Sequence, residues 1–186
     1  LSLCGGMPVI VYELVEGDTL EQLLAAGPLA PRRALSAARD VATALAEAHA
    51  RGILHRDIKP ANVIHARQAD VFKVLDFGIA RWAAGGAVQT QSGMLFGTPA
   101  YMAPEYVLRA EFLPASDLYA VGVLLYRCLT GREPFEGSNP VEVLAHHVNT
   151  PPPRPSGRVP GLPPRLEALV LSLLQKEPAR RPADAR

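Results

Sequence analysis

The sequence predicts an α+β fold, mainly α-helical with a short β-hairpin or ribbon, and three observations carry that prediction. Leu35, Ala38, Val41, Ala42, Leu45 and Ala48 recur at three and four residues, the period of one helix face. Residues 116–129 are apolar almost throughout once Asp117 is passed, which describes a helix buried on every side. The β-branched runs, by contrast, are few and short, at residues 7–15, 62–65 and 71–76.

In chain order, Gly5 and Gly6 suit a hairpin turn ahead of a strand over 7–15. Asp18 and Thr19 offer caps to a short helix over 20–26, stopped by Gly27 and Pro28. Pro31 opens the longer amphipathic helix and Gly52 follows it as a stop. The runs at 62–65 and 71–76 form a ribbon turning over 66–70, and residues 81–99 read as a loop. The apolar helix ends at Gly131, and a further helix fits 140–149. The proline-rich stretch 150–164 is either an ordered connector or a polyproline ligand for a partner, and Pro163 begins a last helix over 166–174. There is no internal repeat and one domain.

With 48% hydrophobic and 20% charged residues among 186, the chain can bury a real core and is not a disordered segment. A net charge of +1 gives no reason to expect nucleic acid. No run of apolar residues is long enough for a membrane span. Cys4 and Cys128 lie far apart and outside any CxxC pair, which points to a reducing, cytoplasmic setting, with a membrane tether outside this segment left open. The chain opens on Leu1 and stops within a pattern at Arg186, so it reads as cut at both ends.

The chemistry concentrates in three stretches. Residues 55–62 read His-Arg-Asp-Ile-Lys-Pro-Ala-Asn, residues 76–78 read Asp-Phe-Gly, and residues 97–105 run from Gly97-Thr98-Pro99 to Ala103-Pro104-Glu105. Phosphoryl transfer needs a group to orient a hydroxyl, oxygens for magnesium and positive charge near the moving phosphoryl. Asp57 can accept the hydroxyl proton, Asn62 and Asp76 offer hard oxygens of the kind Mg²⁺ takes, and Lys59 offers a point charge. Any one of these motifs arises by chance and caps a turn; all three in this order do not.

The set resembles the protein kinase family and is similar to its bacterial Hanks-type serine/threonine members, whose HRD loop, DFG and APE it repeats over essentially the whole chain. The resemblance implies a kinase C-lobe over 16–186, truncated before its final helix, with 1–15 as the end of the N-lobe sheet and the hinge. It implies transfer of the γ-phosphoryl group of ATP, with Mg²⁺, to Ser/Thr hydroxyls of protein substrates. Asp57 matches the catalytic base, Asn62 and Asp76 the metal ligands, and Lys59 and Thr98 the serine/threonine version of the site, with Thr98 bonded to Asp57 and Lys59. On the nucleotide side it implies Tyr12 as gatekeeper, Glu13 and Val15 at the adenine edge, Asp18 near the ribose, and Ile64, Leu124 and Cys128 around the adenine. Lys59, Asn62 and Asp76 would share in holding the nucleotide.

His55, Arg56 and Phe77 complete the motifs as structural residues. Asp117 would hold the backbone of the catalytic loop, serve as a helix N-cap, or do both. Glu105 would pair with Arg181, with Arg180 competing and a solvated charge as the alternative. Thr90 and Ser92 stand as autophosphorylation sites or as polar loop filler. No Gly-rich loop and no Val-Ala-Ile-Lys lysine precede the hinge. The isolated chain is therefore expected to be inactive and to expose a strand edge prone to self-association. A non-catalytic regulatory fragment is the second reading. A small-molecule phosphotransferase fits poorly, because the APE segment serves a peptide surface.

Overall fold

A computed structural model describes residues 2–4, 7–9, 13–77 and 98–185, with backbone only for the segments before residue 13. The first strands, β1 (Ser2–Cys4) and β2 (Met7–Val9), pair antiparallel with Cys4 opposite Met7. The strand expected over 7–15 is shorter than that. Residues 13–16 are irregular, with Leu14 89% exposed; the Glu16 carbonyl accepts from the Arg67 amide at 3.2 Å, where the second sheet begins.

A second, three-stranded antiparallel sheet follows the order β3 (Gly17–Thr19), β4 (Val63–Ala66), β5 (Val71–Val74). Its β4–β5 ribbon, with Val63 opposite Val74, is the one expected. β3 was not expected. It pairs Gly17 with Ala66, and the same three residues lead straight into α1 (Leu20–Ala25). Thr19 caps that helix: its side chain accepts from the Gln22 amide at 3.2 Å while Gln22 Oε1 accepts from the Thr19 amide at 2.8 Å.

Helix α2 (Pro31–His49) buries Ala34, Ala37, Ala38, Val41, Leu45 and Ala48. Leu35, placed on the buried face by the sequence, is 43% exposed; the true stripe runs 34, 38, 41, 45, 48, which leaves Leu35 a hundred degrees off it. α2 packs on β5 and on α4 (Pro114–Thr130), the helix around which the core is built. The short α3 (Pro104–Arg109) precedes it, and Gly131, at φ 75°, closes it. From Ser116 to Leu129 only Arg127 of α4 escapes burial, as its apolar sequence requires. α5 (Pro140–Asn149) and α6 (Pro164–Leu173) follow, and the proline-rich stretch between them is an ordered connector holding one short 3₁₀ turn. Among the described residues no helix is long and apolar enough to cross a membrane.

The α4–α6 contact is close because of Gly122. A Cβ there would come within 2.8 Å of Leu173 Cβ and 3.2 Å of Leu174 Cδ2. Alanine in place of glycine gains about 1 kcal/mol in helix propensity, but overpacking a filled core costs about 1–3 kcal/mol. The clash falls on a Cβ carried by the facing helix, so overpacking wins. Gly122→Ala is expected to lower the melting temperature by several degrees; an unchanged or higher melting temperature would show that the two helices part freely.

Candidate active site

The segment 55–62 links α2 to β4 and carries the first motif. His55 is fully buried. Its ring Nδ1 accepts from the Asp57 amide at 3.3 Å and its Nε2 donates to the Leu75 carbonyl at 2.9 Å, a pair of bonds compatible with the Nε2–H tautomer. The Phe77 ring packs edge-on against it, with centroids 4.9 Å apart. Leu75 is tied a second time, its amide donating to the Asn62 carbonyl at 2.8 Å. These bonds set Asp76 and Phe77 beside the 55–62 loop.

Arg56 adopts φ 70° and Asp76 φ 55°, both left-handed and both non-glycine. Such conformations are costly and persist where neighbours impose them. At Arg56 the imposing group is Asp117, which takes the His55 amide at 3.0 Å on Oδ2 and the Arg56 amide at 2.9 Å on Oδ1. Asp117 therefore holds the loop backbone. It is not an N-cap, since α4 begins at Pro114 and Asp117 lies inside the first turn.

The turn at Arg56 presents Asp57, whose side chain is 39% exposed. Its Oδ2 lies 2.7 Å from Lys59 Nζ and 2.9 Å from Asn62 Nδ2, and Asn62 Nδ2 also donates to the Asp57 carbonyl at 2.8 Å. Committing its amide NH₂ to Asp57 leaves Asn62 its oxygen for a cation. Among the described residues no side-chain hydrogen bond occupies the Asp76 carboxylate, which is exposed. One carboxylate and one amide oxygen at the end of the β4–β5 ribbon are a donor set suited to Mg²⁺ shared with substrate phosphates.

Thr98 enters from the far side of the chain. Lys59 Nζ donates to its Oγ1 at 3.4 Å; among the described residues Thr98 bonds to Lys59 and not to Asp57. A cleft beside Asp57 is lined by Thr98, Tyr101, Met102 and Phe112. Tyr101 is pinned by Arg127, whose Nη1 donates to its hydroxyl at 3.1 Å. Arg127 is in turn held by Glu21 at 2.7 Å and Glu133 at 3.0 Å. Burial keeps the Tyr101 hydroxyl well above the usual phenol range. Neither Tyr101 nor Arg127 was singled out from the sequence, because their meeting depends on α4 passing behind the 98–102 segment.

That segment is anchored by Glu105, buried at the start of α3. Arg181 Nη1 and Nη2 each reach one Glu105 oxygen at 2.8 Å, and Ser116 Oγ donates to Oε1 at 2.6 Å. Arg181, rather than Arg180, is the partner; Arg180 pairs with Glu177 at the surface.

The protein kinase domain family model matches residues 7–185 of this chain. The chain belongs to the protein kinase domain family. It is 40% identical over 182 residues to the serine/threonine-protein kinase PknL of Mycobacterium tuberculosis, covering 97% of this chain and 45% of that protein. It is 44% identical over 180 residues to PknB of Mycolicibacterium smegmatis, covering 95% of this chain and 28% of that protein. The chain thus spans less than half the length of these curated relatives.

Tyr12, Thr90 and Ser92 lie outside the described residues. The Glu13 carboxylate pairs with Lys73 at 2.6 Å, and both are exposed to solvent. Val15 is half-buried. Asp18, expected near a ribose, is bound by Arg67 through two contacts of 2.8 and 2.9 Å, so its carboxylate already has a partner. Ile64 is buried on the sheet face opposite Val63 and apart from the main core. Leu124 and Cys128 are wholly buried within that core, where desolvation pushes the Cys128 thiol up to about 12, the behaviour of a small hydrophobe and not of a nucleophile.

Proposed function

We propose that this chain supplies the catalytic half of a protein serine/threonine kinase, transferring the γ-phosphoryl group of ATP to Ser/Thr hydroxyls of protein substrates in the cytoplasm. The observation that carries the proposal is the Asp57 carboxylate, presented by a strained turn, partly open to solvent, and fixed by Lys59 and Asn62 at 2.7 and 2.9 Å. Asp57 orients the acceptor hydroxyl and takes its proton as the oxygen attacks the γ-phosphorus and the bond to the departing diphosphate breaks. Lys59, between Asp57 and Thr98, places positive charge where the phosphoryl moves. Asn62 and Asp76 would hold Mg²⁺, which when bound neutralises the phosphates. Thr98, Tyr101 and Met102 form the wall against which an acceptor segment lies.

The segment between Asp76 and Thr98 carries Thr90 and Ser92, which we assign as autophosphorylation sites. A phosphate brings nearly two negative charges and offers paired acceptors to arginine, and Arg56 adjoins Asp57. The experiment is incubation of the full-length protein with Mg·ATP and a general protein substrate, followed by phosphoamino-acid analysis and mass spectrometry. Phosphoserine and phosphothreonine are expected, with Thr90 or Ser92 among the sites and reduced activity in a Thr90→Ala, Ser92→Ala double variant. No phosphate on any protein hydroxyl refutes the kinase reading. Full activity in the double variant refutes the switch alone.

A further inference from the structure

His147 is wholly buried, and it is the one residue of α5 that is. Its Nδ1 lies 2.8 Å from the Tyr119 hydroxyl of α4, and the Phe135 ring packs edge-on against it with centroids 4.9 Å apart. Burial first, and the Lys176 ammonium second, push His147 down to about 3, so the ring is neutral. Burial also keeps the Tyr119 hydroxyl well above the usual phenol range, so it holds its proton. A neutral imidazole has one N–H to donate and one lone pair to accept with.

Nε2 is buried and completes no hydrogen bond among the described residues, and the backbone group that faces the ring is the Ala100 carbonyl. Ala100 sits in the 3₁₀ turn Pro99–Tyr101, and α5 packs on that turn and on α3. The two tautomers are then unequal. With the proton on Nδ1, the Tyr119 hydroxyl must turn its own proton away, and the Nε2 lone pair faces a carbonyl oxygen. With the proton on Nε2, Tyr119 donates to Nδ1 and the Nε2–H is aimed at an acceptor. A buried N–H without an acceptor is costly, which draws the ring and the carbonyl together. The ring cannot readily withdraw, because Lys176 Nζ donates to the His146 and His147 carbonyls at 3.3 and 2.7 Å and ties down the end of α5. Lys176 is itself seated over the Phe135 ring, 4.2 Å from its centroid.

We infer that His147 is a positioning residue for the acceptor wall: its Nε2–H holds the Ala100 carbonyl, and so sets the turn that joins Thr98 to Tyr101 and Met102. The kinetic readout rests on the proposed phosphoryl transfer; the other two do not. The test compares the full-length wild-type protein with His147→Asn, His147→Gln and Tyr119→Phe. The asparagine amide stands where Nδ1 stood and stops short of Ala100, whereas the glutamine nitrogen reaches the place of Nε2. Tyr119→Phe removes only a hydroxyl and keeps the ring under the Arg181 guanidinium, which lies 4.9 Å from its centroid. Nitrogen chemical shifts of histidine-labelled protein report the His147 tautomer. Hydrogen exchange is read at the Tyr101 and Met102 amides, which bond the Thr98 and Pro99 carbonyls, against the amides of α4. Steady-state kinetics use dephosphorylated casein as the acceptor.

In the wild type, His147 is expected to stay neutral and protonated on Nε2 between about pH 5 and pH 8, the range in which an ordinary histidine titrates. In His147→Asn, exchange at the two turn amides is expected to quicken by about tenfold or more with α4 unchanged, a local opening. The KM for casein is expected to rise roughly tenfold while kcat and the KM for ATP stay within a few-fold, the mark of lost acceptor binding. His147→Gln restores both. Tyr119→Phe frees the proton to move to Nδ1 and gives an intermediate loss in each; should His147→Asn fail to fold, it carries both readouts alone. An Nδ1–H tautomer or a charged ring in the wild type overturns the inference. So does unchanged protection at Tyr101 and Met102, a uniform rise across α4, or a glutamine variant no better than asparagine. A wild-type protein that transfers no phosphate to any protein defeats the kinase proposal, and the nitrogen shifts and exchange data then decide this one alone.

Discussion

Replacing Asp57 with asparagine is expected to lower kcat for phosphoryl transfer by roughly 10²- to 10⁴-fold, the usual worth of a positioned general base. In barrier terms that is about 3–5 kcal/mol. The geometry explains why so small a change matters. Asp57 Oδ2 already receives Lys59 Nζ at 2.7 Å and Asn62 Nδ2 at 2.9 Å, which leaves Oδ1 to take a proton. In Asp57→Asn the amide oxygen turns toward those two donors, and an NH₂ group stands where the acceptor was. It can take no proton, and it confronts the substrate hydroxyl with a donor. Residues assigned to the nucleotide side, Asn62, Ile64 and Asp76, keep their places, so the KM for ATP changes little. The measurement is steady-state kinetics on the full-length protein at saturating Mg·ATP. Turnover within a few-fold of wild type would remove Asp57 from the role of base.

What could be read in the sequence was local. The three motifs lie within short windows, and each acts through neighbours a few residues away, as Asp57, Lys59 and Asn62 do. The buried α4 declared itself by composition, and the β4–β5 ribbon by two β-branched runs and a turn. β3 could not be read, because its three residues have no periodicity and their partners lie far along the chain, Gly17 facing Ala66 and Thr19 facing Ile64. α3 is six residues long, below the length at which a period shows. The Tyr101–Arg127–Glu21 chain and the His49–Asp117 bond join residues whose meeting is decided by how α1, α2 and α4 pack. The Asp18–Arg67 pair is of the same kind, since Arg67 comes from the ribbon turn and meets Asp18 only once the sheet is assembled.

The largest effect on stability is expected at the other end of the chain. Arg181 uses every guanidinium donor it has. Nε bonds the Gln175 carbonyl at 2.8 Å, Nη1 bonds Glu105 Oε1 at 2.8 Å and the Ala115 carbonyl at 2.7 Å, and Nη2 bonds Glu105 Oε2 at 2.8 Å and the Lys176 carbonyl at 3.0 Å. The Glu105 and Arg181 side chains are 1% and 0% exposed. Burial by itself would push the Glu105 carboxyl up; the bonds from Arg181 and Ser116 outweigh it and hold it below the usual range. Arg181→Met removes most of that compensation: the buried Glu105 carboxylate keeps its bond from Ser116 but loses both guanidinium bonds, and three carbonyls each lose a donor, a loss of about 3–5 kcal/mol at neutral pH.

The sign of the pH dependence provides the control. In the wild type the lowered Glu105 contributes stability that is fully present above the unfolded carboxyl value, near 4.3, and is lost as pH falls through the lower folded value. In Arg181→Met burial, the largest influence on this carboxyl, is opposed chiefly by the Ser116 bond, so the carboxyl is expected to rise and acid neutralises the stranded charge. The stability gap between the two proteins should therefore narrow as pH drops from 7 toward 4. Glu105→Gln combined with Arg181→Met should be less damaging than Arg181→Met alone. Urea unfolding of the three proteins at both pH values measures this. A gap that stays constant with pH, or a double variant worse than the single, would mean that the loss comes from the three carbonyls and not from the buried charge.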